Sequence, residues 1–209
     1  MSAVLARLGE VGILPVAVLS DAAQAAPLGE ALVAGGLPCV EVTFRTDAAE
    51  EAIREAARNP DLLVGAGTVL RPDQVHRAVA AGARFVVTPG FSLAVVTACR
   101  DAGIPVVPGV STATEIQMAL DAGVDAVKFF PAEASGGVAA LKALSAPYAG
   151  VRFVPTGGIS AANARNYLGL PSVLAVGGSW MVAPALVDAG AYDEIRRLTA
   201  EAASLRSRV

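Results

Sequence analysis

The sequence predicts a (β/α)8 barrel: eight parallel strands closed into a ring, each followed by a helix, in one domain spanning residues 1–209 with a short N-terminal helix before it. Three observations predict it. Ala-Gly dipeptides recur at Ala34-Gly35, Ala81-Gly82, Ala102-Gly103 and Ala122-Gly123, each followed by a short Val-rich run. Glycine just past a helix end tolerates the left-handed C-cap conformation, so each dipeptide reads as a helix end feeding a strand. Gly82, Gly103 and Gly123 are 21 and 20 residues apart, a spacing that fits tight αβ units. The second observation is that the runs are almost continuously apolar, as strands of a covered parallel sheet are. The third is an asymmetry: polar residues and glycines gather where the runs end, which in a barrel is the functional face. An open doubly wound sheet is the competing arrangement, but no Gly-x-Gly-x-x-Gly follows the first strand.

The elements follow in order. Ser2 to Leu8 reads as the short first helix and Leu14 to Leu19 as strand one. A helix from Ala22 to Ala34 leads to strand two, Cys39 to Phe44. Ala48 to Arg58 is helical, with apolar spacing at Ala49, Ala52, Ile53 and Ala56. Leu62 to Thr68 is strand three, and Pro72 opens the next helix at its first position. Phe85 to Val87 and Pro105 to Val107 are strands four and five, separated by a helix from Ser92 to Arg100. Thr112 to Leu120 begins with a Thr-x-x-Glu capping box, Thr112 to Glu115. Ala126 to Phe130 is strand six, Phe153 to Pro155 strand seven and Val173 to Val176 strand eight. Gly137 to Leu144, Ala162 to Leu168 and a closing Asp193 to Ser207 are helical.

Composition excludes several classes. The chain is 54% hydrophobic and 17% charged, which points to a heavily buried fold rather than a disordered one. A net charge of −3 leaves no basic footprint for nucleic acid. The uncharged stretch Asn166 to Val187 is interrupted by Pro171, Gly177, Gly178 and Pro184, so no membrane-spanning helix is expected. Cys39 and Cys99 lie far apart with no metal-ligand spacing and read as reduced thiols of a cytoplasmic protein. His76, the only histidine, falls on a helix away from the strand ends, so neither a metal site nor a Ser-His-Asp triad has its parts. Trp180 reads as a packing residue.

Lys128 stands out. It interrupts an apolar strand, and of 16 basic residues only Lys128 and Lys142 are lysines. A buried ammonium is costly unless it is paired or deprotonated. Arginine keeps its proton, whereas a lysine can lose it and attack a carbonyl. A stem that packs while its head reaches water is the bland alternative. On strand two, period-2 alternation puts Glu41, Thr43 and Arg45 on one face, either toward Lys128 or as a merely stabilising Glu–Arg pair. Thr156-Gly157-Gly158 and Gly177-Gly178-Ser179 follow strands seven and eight, the recurrent phosphate position of barrels. There, bare backbone N–H groups and a following helix start can hold an anion, though each Gly pair alone is also an ordinary tight turn.

Five motifs in order resemble the 2-keto-3-deoxy-6-phosphogluconate (KDPG) and 4-hydroxy-2-oxoglutarate aldolase family. They are Glu41-Val42-Thr43-Phe44-Arg45-Thr46, Gly65-Ala66-Gly67-Thr68-Val69, Val127-Lys128-Phe129-Phe130-Pro131-Ala132-Glu133, Pro155-Thr156-Gly157-Gly158-Ile159 and Gly177-Gly178-Ser179-Trp180. The resemblance implies a class I lyase, free of metal and cofactor, on a (β/α)8 barrel, assembled as a homotrimer. Its substrate would be a phosphorylated keto-acid, cleaved to pyruvate and glyceraldehyde 3-phosphate, with 4-hydroxy-2-oxoglutarate as a second substrate. Lys128 resembles the Schiff-base lysine and Glu41 the acid/base. Arg45 and Thr68 resemble the residues holding the pyruvate carboxylate, and Pro89 and Phe130 those shaping the pocket. Thr156 resembles the residue near the substrate hydroxyls, and Gly157, Gly158, Gly178 and Ser179 match the phosphate cradle. The C4-epimeric galactonate-derived substrate, a phosphosugar epimerase or isomerase, and a non-catalytic phosphate binder remain the alternative readings.

Overall fold

The computed structural model describes residues 2–206, so the predicted helix end at Ser207 lies outside the described residues. Among them are nine parallel strand segments interleaved with ten α-helices and two short 3-10 turns. The strands are β1 (Ile13–Ala17), β2 (Cys39–Thr43), β3 (Leu63–Gly67), β4 (Phe85–Val87), β5 (Val106–Val107), β6 (Gly109–Val110), β7 (Ala126–Phe129), β8 (Arg152–Phe153) and β9 (Val176–Gly178). The helices are α1 (Ala3–Val11), α2 (Ala25–Ala34), α3 (Ala49–Ala56), α4 (Pro72–Ala80), α5 (Leu93–Asp101), α6 (Ala113–Asp121), α7 (Gly137–Ser145), α8 (Ala164–Leu168), α9 (Pro184–Asp188) and α10 (Tyr192–Ala203). No described helix is long and apolar enough to cross a membrane.

The closed eight-stranded ring predicted from the sequence does not form. The ladder is a curled six-stranded sheet in the order β5-β4-β3-β2-β1-β9 and a separate three-stranded sheet, β6-β7-β8. Two prolines account for the seams, because proline has no N–H to give to a ladder. Pro108 follows the predicted fifth strand and separates it from a further segment: Val106 and Val107 pair with β4, whereas Gly109 and Val110 pair with β7. Pro155 ends β8 early, and only the single bridges Phe153–Val173 and Thr156–Gly177 span from β8 toward β9. The last strand accordingly falls at Val176–Gly178, later than the Val173 to Val176 expected.

Side-chain parity still sorts the strands into two faces. Val40, Val42, Val64, Ala66 and Val86 point outward and pack with Leu28, Leu32, Ile53, Val75 and Val95 of the helices. A second core lies on the inner face, where Leu14, Cys39, Leu63, Phe85, Val107 and Ala126 meet, so both sheets share one interior. Leu5 and Leu8 of α1 join this inner core. Helix α1 is longer than expected and is stopped at Gly12, whose φ of 76° is the left-handed cap conformation. At the first Ala-Gly closure the left-handed residue is Gly36 (φ 87°), one position after the Gly35 that the cadence marked. The Thr112–Glu115 capping box at the start of α6 is formed.

The interior is filled by few large side chains, so each matters. Phe85 is fully buried, and its ring lies where a Cβ on Gly65 would come within 2.2 Å of it. Phe85→Ala should therefore destabilise the fold by about 3–5 kcal/mol. In urea titrations the midpoint is expected to fall with the slope unchanged; a midpoint shift below about 1 kcal/mol equivalent would contradict this packing.

Candidate active site

Above the apolar inner layer, the same parity brings three polar side chains inside. On β2 the inward positions run Cys39, Glu41, Thr43; on β7 they run Ala126, Lys128. Lys128 Nζ donates to Glu41 Oε1 at 3.2 Å. Their side chains are 7% and 1% exposed, so this is a buried pair crossing between the two sheets. Such a pair is costly to desolvate, and a simple apolar pair would stabilise the fold as well or better. The Phe130 ring lies with its centroid 5.2 Å from the ammonium nitrogen, a cation–π contact that covers the amine. Thr43 Oγ1 donates to the Ala17 carbonyl at 3.1 Å, tying β2 to β1.

Space for the Glu41 carboxylate is left by β3. A Cβ on Gly67 would fall 2.2 Å from Glu41 Oε1, so only glycine allows the carboxylate this position. The next residue, Thr68, has φ 54°, the one non-glycine among the described residues at positive φ. For a β-branched residue this conformation costs about 1–3 kcal/mol and is commonly met at functional sites. Pro89 approaches from the other side: its carbonyl oxygen lies 2.2 Å from where a Cβ on Gly109 would be. Gly109 is the register partner of Lys128.

A cavity of about 240 Å³ opens beside the pair. Its walls include Arg45, Phe130 and Thr156, the loop from Gly157 to Ile159, and the loop from Gly177 to Ser179. Seven of the sequence-predicted residues thus share one cavity: Arg45, Phe130, Thr156, Gly157, Gly158, Gly178 and Ser179. Lys128 reaches it through Phe130 and holds Glu41 beside it, while Thr68 and Pro89 do not line it. Val16 and Ile159 are lining residues that the sequence reading missed. Val16 was findable, because it shares inner parity with Leu14 on β1.

Two details depart from the sequence reading. Arg45 is exposed at the cavity mouth and does not pair with Glu41; β2 ends at Thr43, and the Arg45 N–H donates back to the Thr43 carbonyl at 2.8 Å. Alternation holds only while the backbone is extended, so the turn removes Arg45 from that count. The glycine loops also have packing reasons of their own. A Cβ on Gly177 would meet Thr156 Oγ1 at 2.3 Å, and one on Gly178 the Trp180 ring at 1.9 Å. Only the 3-10 turn Trp180–Val182 follows Ser179 directly, and α8 begins several residues after Gly158. The strong helix dipole expected there is absent.

Other nucleophiles are poorly placed. Burial pushes both the Cys39 and Cys99 thiols up to about 12, with Arg7 opposing this weakly at Cys39. His76 is exposed on α4. Among the described residues there is no group of three or more His, Cys, Asp or Glu side chains arranged to hold a metal ion. A larger cavity of about 400 Å³ adjoins α1 near Glu10, Arg152 and Arg206, but no lysine, cysteine, serine or threonine lines it.

The family model "KDPG and KHG aldolase" matches residues 4–198. The chain is 48% identical to the KHG/KDPG aldolase of Escherichia coli K12, over 91% of this chain and 90% of that one. It is similar in structure to the KDPG aldolase of Legionella pneumophila with pyruvate captured as a covalent carbinolamine intermediate (TM-score 0.91, 41% identity, covering 95% of this chain and 97% of that one). It is equally similar to the 2-keto-3-deoxy-6-phosphogluconate aldolase of Zymomonas mobilis ZM4 with 3-phosphoglycerate (TM-score 0.91, 41% identity, covering 96% and 95%).

The thiols give a direct check on burial. With pKa values near 12, about one thiol in 10,000 is ionised at pH 8. Iodoacetamide at that pH should leave both cysteines unmodified in the folded chain and alkylate both in denaturant, read by mass spectrometry. Rapid alkylation of either in the folded protein would contradict the placement.

Proposed function

The chain belongs to the KDPG and KHG aldolase family, and we propose that it cleaves 2-dehydro-3-deoxy-6-phosphogluconate to pyruvate and glyceraldehyde 3-phosphate through a Schiff base on Lys128. One observation carries this reading: a lysine and a carboxylate, both buried and 3.2 Å apart, beside a cavity rimmed by two glycine loops. Snorkelling does not describe Lys128, whose amine faces a carboxylate in the interior instead of water.

The chemistry follows from the pair. Glu41 takes a proton from the Lys128 ammonium, and the free amine attacks the C2 ketone to give a carbinolamine. Glu41 returns the proton to the leaving hydroxyl, water departs, and a protonated imine remains. That cation is an electron sink. When Glu41, directly or through a water, removes the C4 hydroxyl proton, the C3–C4 bonding electrons flow into the imine. The aldehyde half leaves and an enamine of pyruvate stays on Lys128. Protonation at C3 and hydrolysis of the imine then release pyruvate and the free lysine. No metal is needed for any of these steps.

Arg45 at the mouth and Thr68 on the strained turn are assigned to the pyruvate carboxylate, with Pro89 and Phe130 shaping the pocket and Thr156 near the substrate hydroxyls. The backbone around Gly157, Gly158, Gly178 and Ser179 is assigned to the phosphate. Holding the remote phosphate orients the reacting carbons, so its binding energy contributes to the rate. The covalent pyruvate adduct of the Legionella relative and the 3-phosphoglycerate of the Zymomonas relative support these assignments by analogy. The shorter 4-hydroxy-2-oxoglutarate, giving pyruvate and glyoxylate, fits the same lysine without using the phosphate end. On this reading the enzyme works in the cytoplasm, where the free Cys39 and Cys99 stay reduced. It works as a homotrimer, for which the exposed Leu70 and Leu93 supply apolar surface.

Borohydride added with pyruvate should fix a reduced three-carbon adduct on Lys128 and abolish activity, with Lys142 unmodified as the internal control. An active enzyme whose Lys128 peptide stays unmodified would rule the mechanism out. Gly67→Ala tests the carboxylate separately. The new methyl group forces Glu41 away from Lys128, so kcat should drop by about 100-fold or more while circular dichroism stays native. Unchanged kcat would remove Glu41 from the proton transfers.

A further inference from the structure

A second polar contact, only partly buried, lies outside these steps, next to the glycine loop. Tyr167 on α8 is fully buried, and its hydroxyl donates to Glu133 Oε1 in the turn after β7. Burial first, and then the hydrogen bond and charge of Glu133, push ionisation of the phenol well above its usual range, so Tyr167 remains a donor. The stem of Glu133 runs against the loop: a Cβ on Gly158 would fall 2.7 Å from both its Cβ and its Cγ. Backbone bonds join the same two segments, Ala132 N–H to the Thr156 carbonyl at 2.8 Å and Glu133 N–H to the Gly157 carbonyl at 3.1 Å.

The loop is also held from the same helix. Asn163, at the N-cap of α8, donates from Nδ2 to the Gly158 carbonyl at 3.0 Å and accepts from the Ser160 N–H at 2.8 Å. Asn163 and Tyr167 are one turn apart, so one end of α8 holds the loop directly through Asn163 and, through Glu133, indirectly from Tyr167. Gly157 and Gly158 have φ of 99° and 76° and no side chains, so nothing of their own keeps them in place.

We propose that the Tyr167–Glu133 hydrogen bond is a positioning contact that fixes the Gly157-Gly158 backbone and thereby sets affinity for the substrate phosphate, without touching the reacting carbons. The inference rests on the functional reading above, which puts the phosphate at this loop. Lys128 and Glu41 are held by β7 and β2 and their own hydrogen bond, so loss of the contact is felt at the phosphate end.

Tyr167→Phe removes the donor and keeps the ring. For the phosphorylated six-carbon substrate it should raise KM about tenfold with kcat within about twofold, and raise the inhibition constant of inorganic phosphate by the same factor. For 4-hydroxy-2-oxoglutarate, both constants should stay within about twofold, which also shows that the variant folds. Glu133→Gln keeps an acceptor and should stay within about threefold of the parent chain on both substrates. Glu133→Ala, made from the exposed side of the contact, should repeat the Tyr167→Phe pattern even if that variant folds poorly. Equal losses on both substrates, or no change on either, would overturn the inference while leaving the aldolase reading intact. Failure of the unaltered chain to turn over either substrate would overturn the reading itself and this inference with it.

Discussion

Everything near the site is arranged around one hydrogen bond, Lys128 Nζ to Glu41 Oε1, made in the interior where charges are expensive. Its neighbours make sense only in relation to it. Gly67 is bare so that the carboxylate fits, and Phe130 lays its ring beside the amine. Below, the apolar inner core from Cys39 to Ala126 keeps water from reaching the pair from the α1 end. A pair of this kind adds little to stability. Keeping an amine beside its proton acceptor in a dry interior is instead what imine chemistry requires.

The seams of the sheet belong to the same story. Pro108 ends the fifth strand one residue before Gly109, and Gly109 is the register partner of Lys128. The Pro108 carbonyl still accepts the Lys128 N–H at 2.8 Å, so the backbone under the lysine is held although the ladder is interrupted. Gly109 in turn receives the Pro89 carbonyl where a side chain would have been. On the other side, Pro155 shortens β8 just before Thr156, the residue that fills the gap left by Gly177. One break thus lies under the lysine and the other beside Thr156 at the cavity wall.

How much of this the sequence could show depends on the range of the interaction. Period-2 alternation is local, so the shared inner face of Glu41 and Thr43 was readable, and the rarity of lysine drew attention to position 128. Arg45 was misread because alternation was carried two residues past the point where the strand turns. Ring closure was misread because strands were counted by their apolar runs, while ladders are made by N–H groups that Pro108 and Pro155 lack. Contacts between distant segments left no local trace. That Gly178 is bare because of Trp180, or that Tyr167 reaches Glu133 across 34 positions, follows only from the folded chain.

The glycines show most clearly why such motifs mislead. Gly177 and Gly178 read as room for a phosphate, yet each is first required by a neighbouring side chain, Thr156 in one case and Trp180 in the other. The two explanations are compatible but act at different points. Packing decides that no Cβ can be present; the bare backbone that results lines the cavity, although both glycines are buried, and it is this backbone that the proposed function assigns to the phosphate. The same logic runs along β3, whose inward positions after Leu63 are Gly65 under the Phe85 ring and Gly67 under the Glu41 carboxylate. That strand contributes almost nothing of its own to the upper interior. It is shaped by the side chains of its two neighbours, and the residue after it, Thr68, stands in a strained conformation at φ 54°.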